Sequence, residues 1–170
     1  IATAHTADDN AETVLLHLVR GTGLKGLGAI SPVNGKLIRP TLSVTRQDVE
    51  DFLSEYHLSH IEDSSNRTDH FLRNRIRHQV MPLLKAENPS LAENLSAMAL
   101  RLRQDEAALD CLATIQPMPS VDELKTMAPA VRSRVLEKYL KTNGVREPEA
   151  QHIAQAEALV FSDKPSAMIT

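Results

Sequence analysis

Ile1-Ala2-Thr3-Ala4-His5-Thr6-Ala7-Asp8-Asp9-Asn10-Ala11-Glu12-Thr13 opens the chain and decides its class. Ile1–Ala4 reads as the end of a buried strand. Thr6 suits an N-cap, and Asp9, three residues on, stands in the capping-box position. Ala11, Val14, Leu15 and Leu18 then recur at helical spacing, and Gly21 sits where a glycine ends a helix. The spacing predicts an amphipathic helix over about residues 7–20, directly after a strand. Open α/β sheets place their ligands at such strand-to-helix turns. Asp9 and Glu12 are three apart and Asp8 and Glu12 four apart, so these carboxylates share one side of the first turns. The helix dipole favours negative charge there. By pattern alone, capping of a solvated helix explains the acids as well as a binding site does. A metal site on His5 and Asp8 is a third reading, weakened by the single histidine.

Outward from this stretch, residues 21–28 read as a glycine-rich loop without Walker or dinucleotide spacing. Lys36–Pro40 reads as a short strand ended by proline. Thr45 and Asp48 cap a second helix whose stripe is Val49, Phe52, Leu53 and Tyr56. Glu62–Asn66 reads as a turn, and a third helix runs from about His70 to Val80 with Leu72, Ile76 and Val80 on one face and Pro82 soon after. Asn88-Pro89-Ser90 punctuates the chain. Beyond it Leu91, Leu95, Met98, Leu102, Leu109 and Leu112 mark one long helix. After a proline-rich break at 116–120, shorter helices are expected at about 129–142 and 148–160, each with proline near its start. The expected organisation is an α/β portion over 1–89 followed by an all-helical portion over 90–170. There is no repeat and no low-complexity tract.

Composition limits the function classes. The chain has 170 residues, 42% hydrophobic and 24% charged, which excludes wholesale disorder and collagen-like structure. No apolar run approaches the roughly 20 residues that span a bilayer. One cysteine, Cys111, cannot make an internal disulfide or a Cys-based metal site, which fits a reducing cytoplasm. In its leucine-bearing helix Cys111 is expected to be a small buried residue. The net charge of -3 offers nucleic acid no global attraction, so RNA would have to meet a local basic patch. Aromatics make up 3% with no Trp, which does not suit a base-stacking platform. The chain begins on Ile and shows no signal-peptide pattern, so it reads as a fragment of a longer protein.

Arg73-Asn74-Arg75-Ile76-Arg77-His78 is the second chemical cluster. On a helix Arg73 and Arg77 point one way and Arg75 nearly the opposite way. Two guanidiniums on one face make a clamp for phosphate or carboxylate; a solvated helix face is the competing reading. Arg39, at a strand end, is a further phosphate candidate. His17, His57, His60 and His152 read as surface or packing residues.

Taken in order, these pieces resemble the tRNA(Ile)-lysidine synthetases of the PP-loop (N-type ATP pyrophosphatase) family. The matching stretches are His5 to Thr13 (H-x-x-D-D-x-x-E-T), Arg20-Gly21-x-Gly23-Leu24-x-Gly26-Leu27, Ile38-Arg39-Pro40, Ile61-Glu62-Asp63-x-Ser65-Asn66 and Arg73-Asn74-x-Ile76-Arg77 leading to Pro82. The likeness is continuous over about residues 1–89 and looser beyond. The resemblance implies that residues 1–89 are the C-terminal part of a Rossmann-like, parallel-sheet PP-loop domain. Residues 90–170 would be a helical domain for tRNA or substrate recognition. It implies ATP, with Mg²⁺ held mostly through phosphates and water, and tRNA(Ile) and free L-lysine as partners, with a homodimer compatible with the parent. The implied reaction adenylates C2 of the wobble cytidine, whereupon the lysine amine displaces AMP to form lysidine. Catalytic roles fall to Asp9, Glu12 and Arg77. The acids would hold cationic groups and take a proton, and Arg77 would pair with a carboxylate or phosphate. His5, Asp8, Arg39, Arg73 and Asn74 would bind lysine, nucleotide or tRNA.

The family's Ser-Gly-Gly-x-Asp-Ser segment, whose amides cradle pyrophosphate, does not occur in these residues. The chain by itself is therefore expected to be inactive, and tRNA-dependent AMP release by it would contradict that. Three readings compete: a tRNA-thiolating PP-loop relative, a non-catalytic helical RNA-binding or adaptor domain, and a metal-dependent hydrolase on His5 and Asp8. The first is disfavoured in its cysteine-pair form by the lone Cys111. The second requires that Asp9 matter only as a cap.

Overall fold

The computed structural model describes residues 1–60, 71–114 and 118–162. They form two compact units, Ile1–Gln104 and Asp105–Thr170. The turn expected at 62–66 and the start of the helix expected at His70 lie outside the described residues.

The first unit begins as the sequence reads. Ala2 pairs in parallel with Ile38, through Thr3 N–H to Ile38 O at 3.0 Å and Ile38 N–H to Ile1 O at 2.9 Å. Ile38 belongs to β2 (Leu37–Ile38), which runs antiparallel to β1 (Val33–Asn34) around Gly35, at a positive φ of 57°. The unit is therefore α/β in character but mostly helical, and its regular sheet among the described residues is this small hairpin. Helix α1 (Ala7–Val19) follows the strand end at once. Thr6 Oγ1 accepts from Asp9 N, while Asp9 Oδ2 accepts from Thr6 N at 2.9 Å, so the capping box is complete. Gly21, at φ 73°, ends it as expected.

Two local expectations are corrected. The glycine-rich stretch is not wholly loop, because Leu24–Leu27 closes one helical turn (α2), held from outside by the ring of His17 against Gly26 O at 2.6 Å. Helix α3 (Arg46–Glu55) is capped by Thr45 and Asp48 as read, but no residue of it is buried. Phe52 and Tyr56 remain 53% and 59% exposed, with their rings packed on each other at 4.6 Å. Periodicity identifies an apolar face; whether that face is covered depends on its neighbours.

The arginine-bearing segment is a composite. Helix α4 (Leu72–Arg75) passes into a π-helical turn (Ile76–Val80) and then into α5 (Met81–Glu87). Pro82 stands in the first turn of α5, so helical structure continues past the end expected near Val80. At that position its missing N–H costs nothing. Helix α6 (Leu91–Leu112) follows. Ala7, Ala11, Ile76, Met81 and Ala92 form the core of this unit, with Leu15, Leu72, Leu91 and Leu95 packed around it. Three of the five are alanines, which lets α1 lie close to the π-helical turn and the start of α6.

The compositional border near residue 89 and the packing border at 104/105 differ because Leu91, Ala92 and Leu95 of α6 serve the core of the first unit. In the second unit, α7 (Val121–Thr126), α8 (Pro129–Thr142) and α9 (Ala150–Val160) bury Leu124, Val135, Leu136, Leu140, Ala156 and Val160. Helix α7 escaped the periodicity reading because it is only 6 residues long, although Ser120 and Glu123 make a full capping box. Arg132, 8% exposed, is satisfied by Glu157 at 2.9 Å and Met127 O at 3.0 Å and lies over the Phe161 ring. Cys111 is exposed, which corrects its expected burial. No helix among the described residues is long and apolar enough to cross a membrane.

Ile76 is 2% exposed and joins α1 to the arginine-bearing segment. Ile76→Ala should cost about 2–5 kcal/mol in urea unfolding. A loss under about 1 kcal/mol would contradict the packing described.

Candidate functional site

Helix α1 delivers its acids in a fixed order because the capping box sets where the helix starts. Asp9 uses Oδ2 on its own N-cap, through Thr6 N–H at 2.9 Å and Thr6 Oγ1–H at 3.0 Å. Its Oδ1 is thereby turned outward, and both arginines donate to it: Arg73 Nη2 at 3.1 Å and Arg77 Nη2 at 3.1 Å. One turn on, Glu12 is 3% exposed and takes the rest of both guanidiniums. Arg77 binds it through Nε to Oε1 at 2.6 Å and Nη2 to Oε2 at 2.7 Å, and Arg73 Nε reaches Oε2 at 3.1 Å. Two carboxylates and two guanidiniums thus form one closed network between segments more than 60 residues apart in sequence.

The two arginines are not equivalent. Arg77 makes the bidentate contact and its side chain is 19% exposed, whereas that of Arg73 is 37% exposed. The hydrogen bond to Glu12 raises the Arg77 pKa against the opposing effect of burial, so its charge is permanent. Bidentate guanidinium–carboxylate geometry fixes orientation as well as charge.

Asp8, on the next face of α1, is 7% exposed. Its Oδ1 accepts from Lys85 Nζ at 2.6 Å and its Oδ2 from the Arg46 amide at 2.7 Å. Burial alone would push this carboxyl up; the Lys85 and Arg46 hydrogen bonds and the nearby charges outweigh it, and the net shift is downward. Asp8 therefore ties α1 to the start of α3 and to α5. Beside it opens a cleft of about 430 Å³ lined by Asp8, Glu12, Arg46, Arg77, Met81 and Lys85.

Among the sequence-predicted residues, the structure brings Asp9, Glu12, Arg73 and Arg77 into direct contact and sets Asp8 on the same cleft as Glu12 and Arg77. Asn74 lies on α4 between the two arginine neighbours. His5 is half-buried and its Nδ1 bonds Thr3 Oγ1 at 2.9 Å. Arg39 is elsewhere: its Nη1 donates to Ser31 O at 2.7 Å, beside a different cleft. Sequence reasoning missed Lys85 and Asn10. Asn10, 1% exposed, accepts from Ile30 N at 3.0 Å and donates to Ser96 Oγ at 3.2 Å. Its place inside the acidic block was the available signal; Lys85 had none, because the π-helical turn alters the register between it and Arg77. Among the described residues no three His, Cys, Asp or Glu side chains converge as a metal cage.

The PP-loop domain model matches residues 1–84, and the TilS substrate binding domain model matches residues 120–168. A tRNA(Ile)-lysidine synthase of Geobacter sulfurreducens is 38% identical over 182 residues, covering 98% of this chain and 39% of the relative. One from Caldanaerobacter subterraneus is 36% identical over 183 residues, covering 98% of this chain and 38% of the relative. One from Porphyromonas gingivalis is 47% identical over 106 residues, covering 62% of this chain and 22% of the relative. The chain spans about two fifths or less of the length of these relatives.

The Asp8–Lys85 pair makes a pH prediction. The folded-state pKa of Asp8 lies below its ordinary 3.8, so its contribution to stability is present above that value and is lost as pH falls through the lower one. Lys85→Met should be less stable than the parent chain in urea at pH 6, and the gap should narrow as the pH is taken below the ordinary carboxyl range. A gap that stays constant over this range would contradict the pairing.

Proposed function

Because the chain belongs to the PP-loop family and, within it, to the tRNA(Ile)-lysidine synthases, we propose that Asp9, Glu12 and Arg77 serve the joining of free L-lysine to C2 of the wobble cytidine of tRNA(Ile). The observation that carries this reading is the closed network of two carboxylates and two guanidiniums beside a cleft. Lysine brings two ammonium groups and a carboxylate. A site for it needs anions and a cation held at fixed separation, and this network has both. The cleft volume falls in the range of small-molecule sites, about 300–1,000 Å³.

ATP supplies the adenylyl group that makes the cytidine C2 oxygen a leaving group. The charges along the cleft suit its phosphates, since Arg46, Arg77 and Lys85 line the same wall. Mg²⁺ would be held through those phosphates and water. Glu12 and Asp9 hold the incoming ammonium, and one of them accepts its proton so that the amine carries a free electron pair into the attack. Arg77, fixed bidentately, keeps the Glu12 carboxylate aimed and pairs with substrate carboxylate or phosphate. Arg73, the more exposed guanidinium, and Asn74 bind at the rim. Asp8, on the same cleft, would contact lysine or nucleotide there, and through Lys85 and the Arg46 amide it also places α3 and α5. His5 would lie near the nucleotide. The Ala2–Ile38 pairing supports a Rossmann-like parallel sheet, with residues 1–89 as PP-loop domain. The match at 120–168 supports substrate recognition by the helical residues 90–170.

The test is a chimera in which residues 1–170 replace the matching segment of the Geobacter sulfurreducens relative. Incorporation of labelled lysine into tRNA(Ile) is expected. Asp9→Asn and Glu12→Gln should each lower turnover by about 100-fold or more when assayed at a temperature where both variants remain folded. Turnover within about threefold of the parent chimera would exclude both from the chemistry.

A further inference from the structure

Lys85 ties α5 to α1, but its ammonium also stands in the cleft shared by Glu12 and Arg77. An ammonium carries three N–H donors, and Lys85 spends one of them on Asp8 Oδ1 at 2.6 Å. Its side chain is 41% exposed, whereas that of Asp8 is 10% exposed. Lys85 therefore forms the lip of the cleft and Asp8 its floor. Asp8 keeps acceptor capacity too, because each carboxylate oxygen can take two donors. Its Oδ1 accepts from Lys85 and its Oδ2 from the Arg46 amide. Burial opposes its charge, but these hydrogen bonds prevail and keep Asp8 an anion at neutral pH.

The other ion pair of the cleft is spent differently. Arg77 commits Nε and Nη2 to Glu12 and Asp9, and Arg73 closes on the same two carboxylates. Among the described residues Glu12 Oε1 accepts from Arg77 Nε alone, which leaves room for one further donor. Asp8 and Lys85 are thus the adjacent, opposite charges whose hydrogen-bonding capacity is least used.

A phosphate would satisfy Lys85 and repel Asp8, and a simple amine would do the reverse. A group with a cation and an anion on neighbouring atoms satisfies both, and the head of an α-amino acid is such a group. We propose that Asp8 and Lys85 form a head-group subsite for a free α-amino acid, in which Lys85 Nζ donates to the α-carboxylate and Asp8 accepts from the α-ammonium. Arg46 and Arg77 are left to phosphate. Asp8 and Glu12 are four residues apart on one side of α1, about 6 Å along its axis. A side chain leaving the head group can therefore run toward Glu12 Oε1, and the five carbons between the nitrogens of lysine let its distal ammonium reach there. Lysine as the occupant rests on the ligase reading; the head-group subsite does not.

The test is an NMR amide-shift titration of the 170-residue chain with L-lysine, cadaverine and 6-aminohexanoate, involving no turnover. Cadaverine is lysine without its carboxylate, and 6-aminohexanoate is lysine without its α-ammonium. L-Lysine should bind about tenfold or more tightly than either, the scale of one charged hydrogen bond. Lys85→Met, titrated at a temperature where it is folded, should bring L-lysine down to the level of cadaverine and should not weaken cadaverine. Lys85→Arg should restore most of the preference. Asp8→Asn should remove the preference for L-lysine over 6-aminohexanoate. Lys85→Met that weakens L-lysine and cadaverine alike would mean a merely structural role and would overturn the proposal. So would an unchanged preference in Lys85→Met, or absence of L-lysine binding by the parent chain. An unchanged preference with normal lysine incorporation by the chimera would remove the head-group subsite and leave the ligase reading in place. The expected preferences with a chimera that incorporates no lysine would keep the subsite and remove the ligase reading.

Discussion

Glu12 is a carboxyl side chain nearly inaccessible to water and enclosed by two guanidiniums. That constraint organises the first unit, because a buried carboxylate must be both paired and hydrogen-bonded. Arg77 meets it bidentately and Arg73 completes it. Since both arginines also reach Asp9, the start of α1 and the whole α4-to-α5 segment are held to one another by four charged groups. Asp9 can share its outer oxygen only because the inner one is occupied by the N-cap of its own helix. Capping, pairing and site geometry are thus one arrangement.

Much of this was legible from residue order. Thr6 with Asp9 and Thr45 with Asp48 predicted two helix starts to the residue, because a capping box is satisfied locally and needs nothing from the rest of the chain. Arg73 and Arg77 were readable as one face for the same reason. What remained hidden depends on tertiary context. The stripe of α3 has correct spacing yet is not buried, and the leucines around Cys111 do not cover it. The π-helical turn at Ile76–Val80 leaves no mark in periodicity, and with it the placing of Lys85 on Asp8 was out of reach. The helix expected to end near Val80 continues as α5 because a proline in a first helical turn is tolerated.

The two faces of α1 divide the labour of the first unit. Asp8 and Glu12 look into a cleft rich in paired charge, whereas Ala7 and Asn10 look into one that is largely apolar, where Arg39 and Arg103 are held by backbone carbonyls. Balanced charge suits a small zwitterionic substrate that must be held and then deprotonated. Both clefts are built on the one helix α1. The alanines of α1 permit it, since they bring the helix close enough to its neighbours for both faces to be lined.

Glu12 and Arg77 act as a coupled pair across the fold, and a double-mutant cycle tests this coupling most directly. Urea unfolding of the 170-residue chain would be measured for Glu12→Gln, Arg77→Met and the two together. A coupling energy of about 1–3 kcal/mol is expected for charged groups in contact and largely out of water. Additive effects, with coupling below about 0.3 kcal/mol, would mean that the two side chains do not meet.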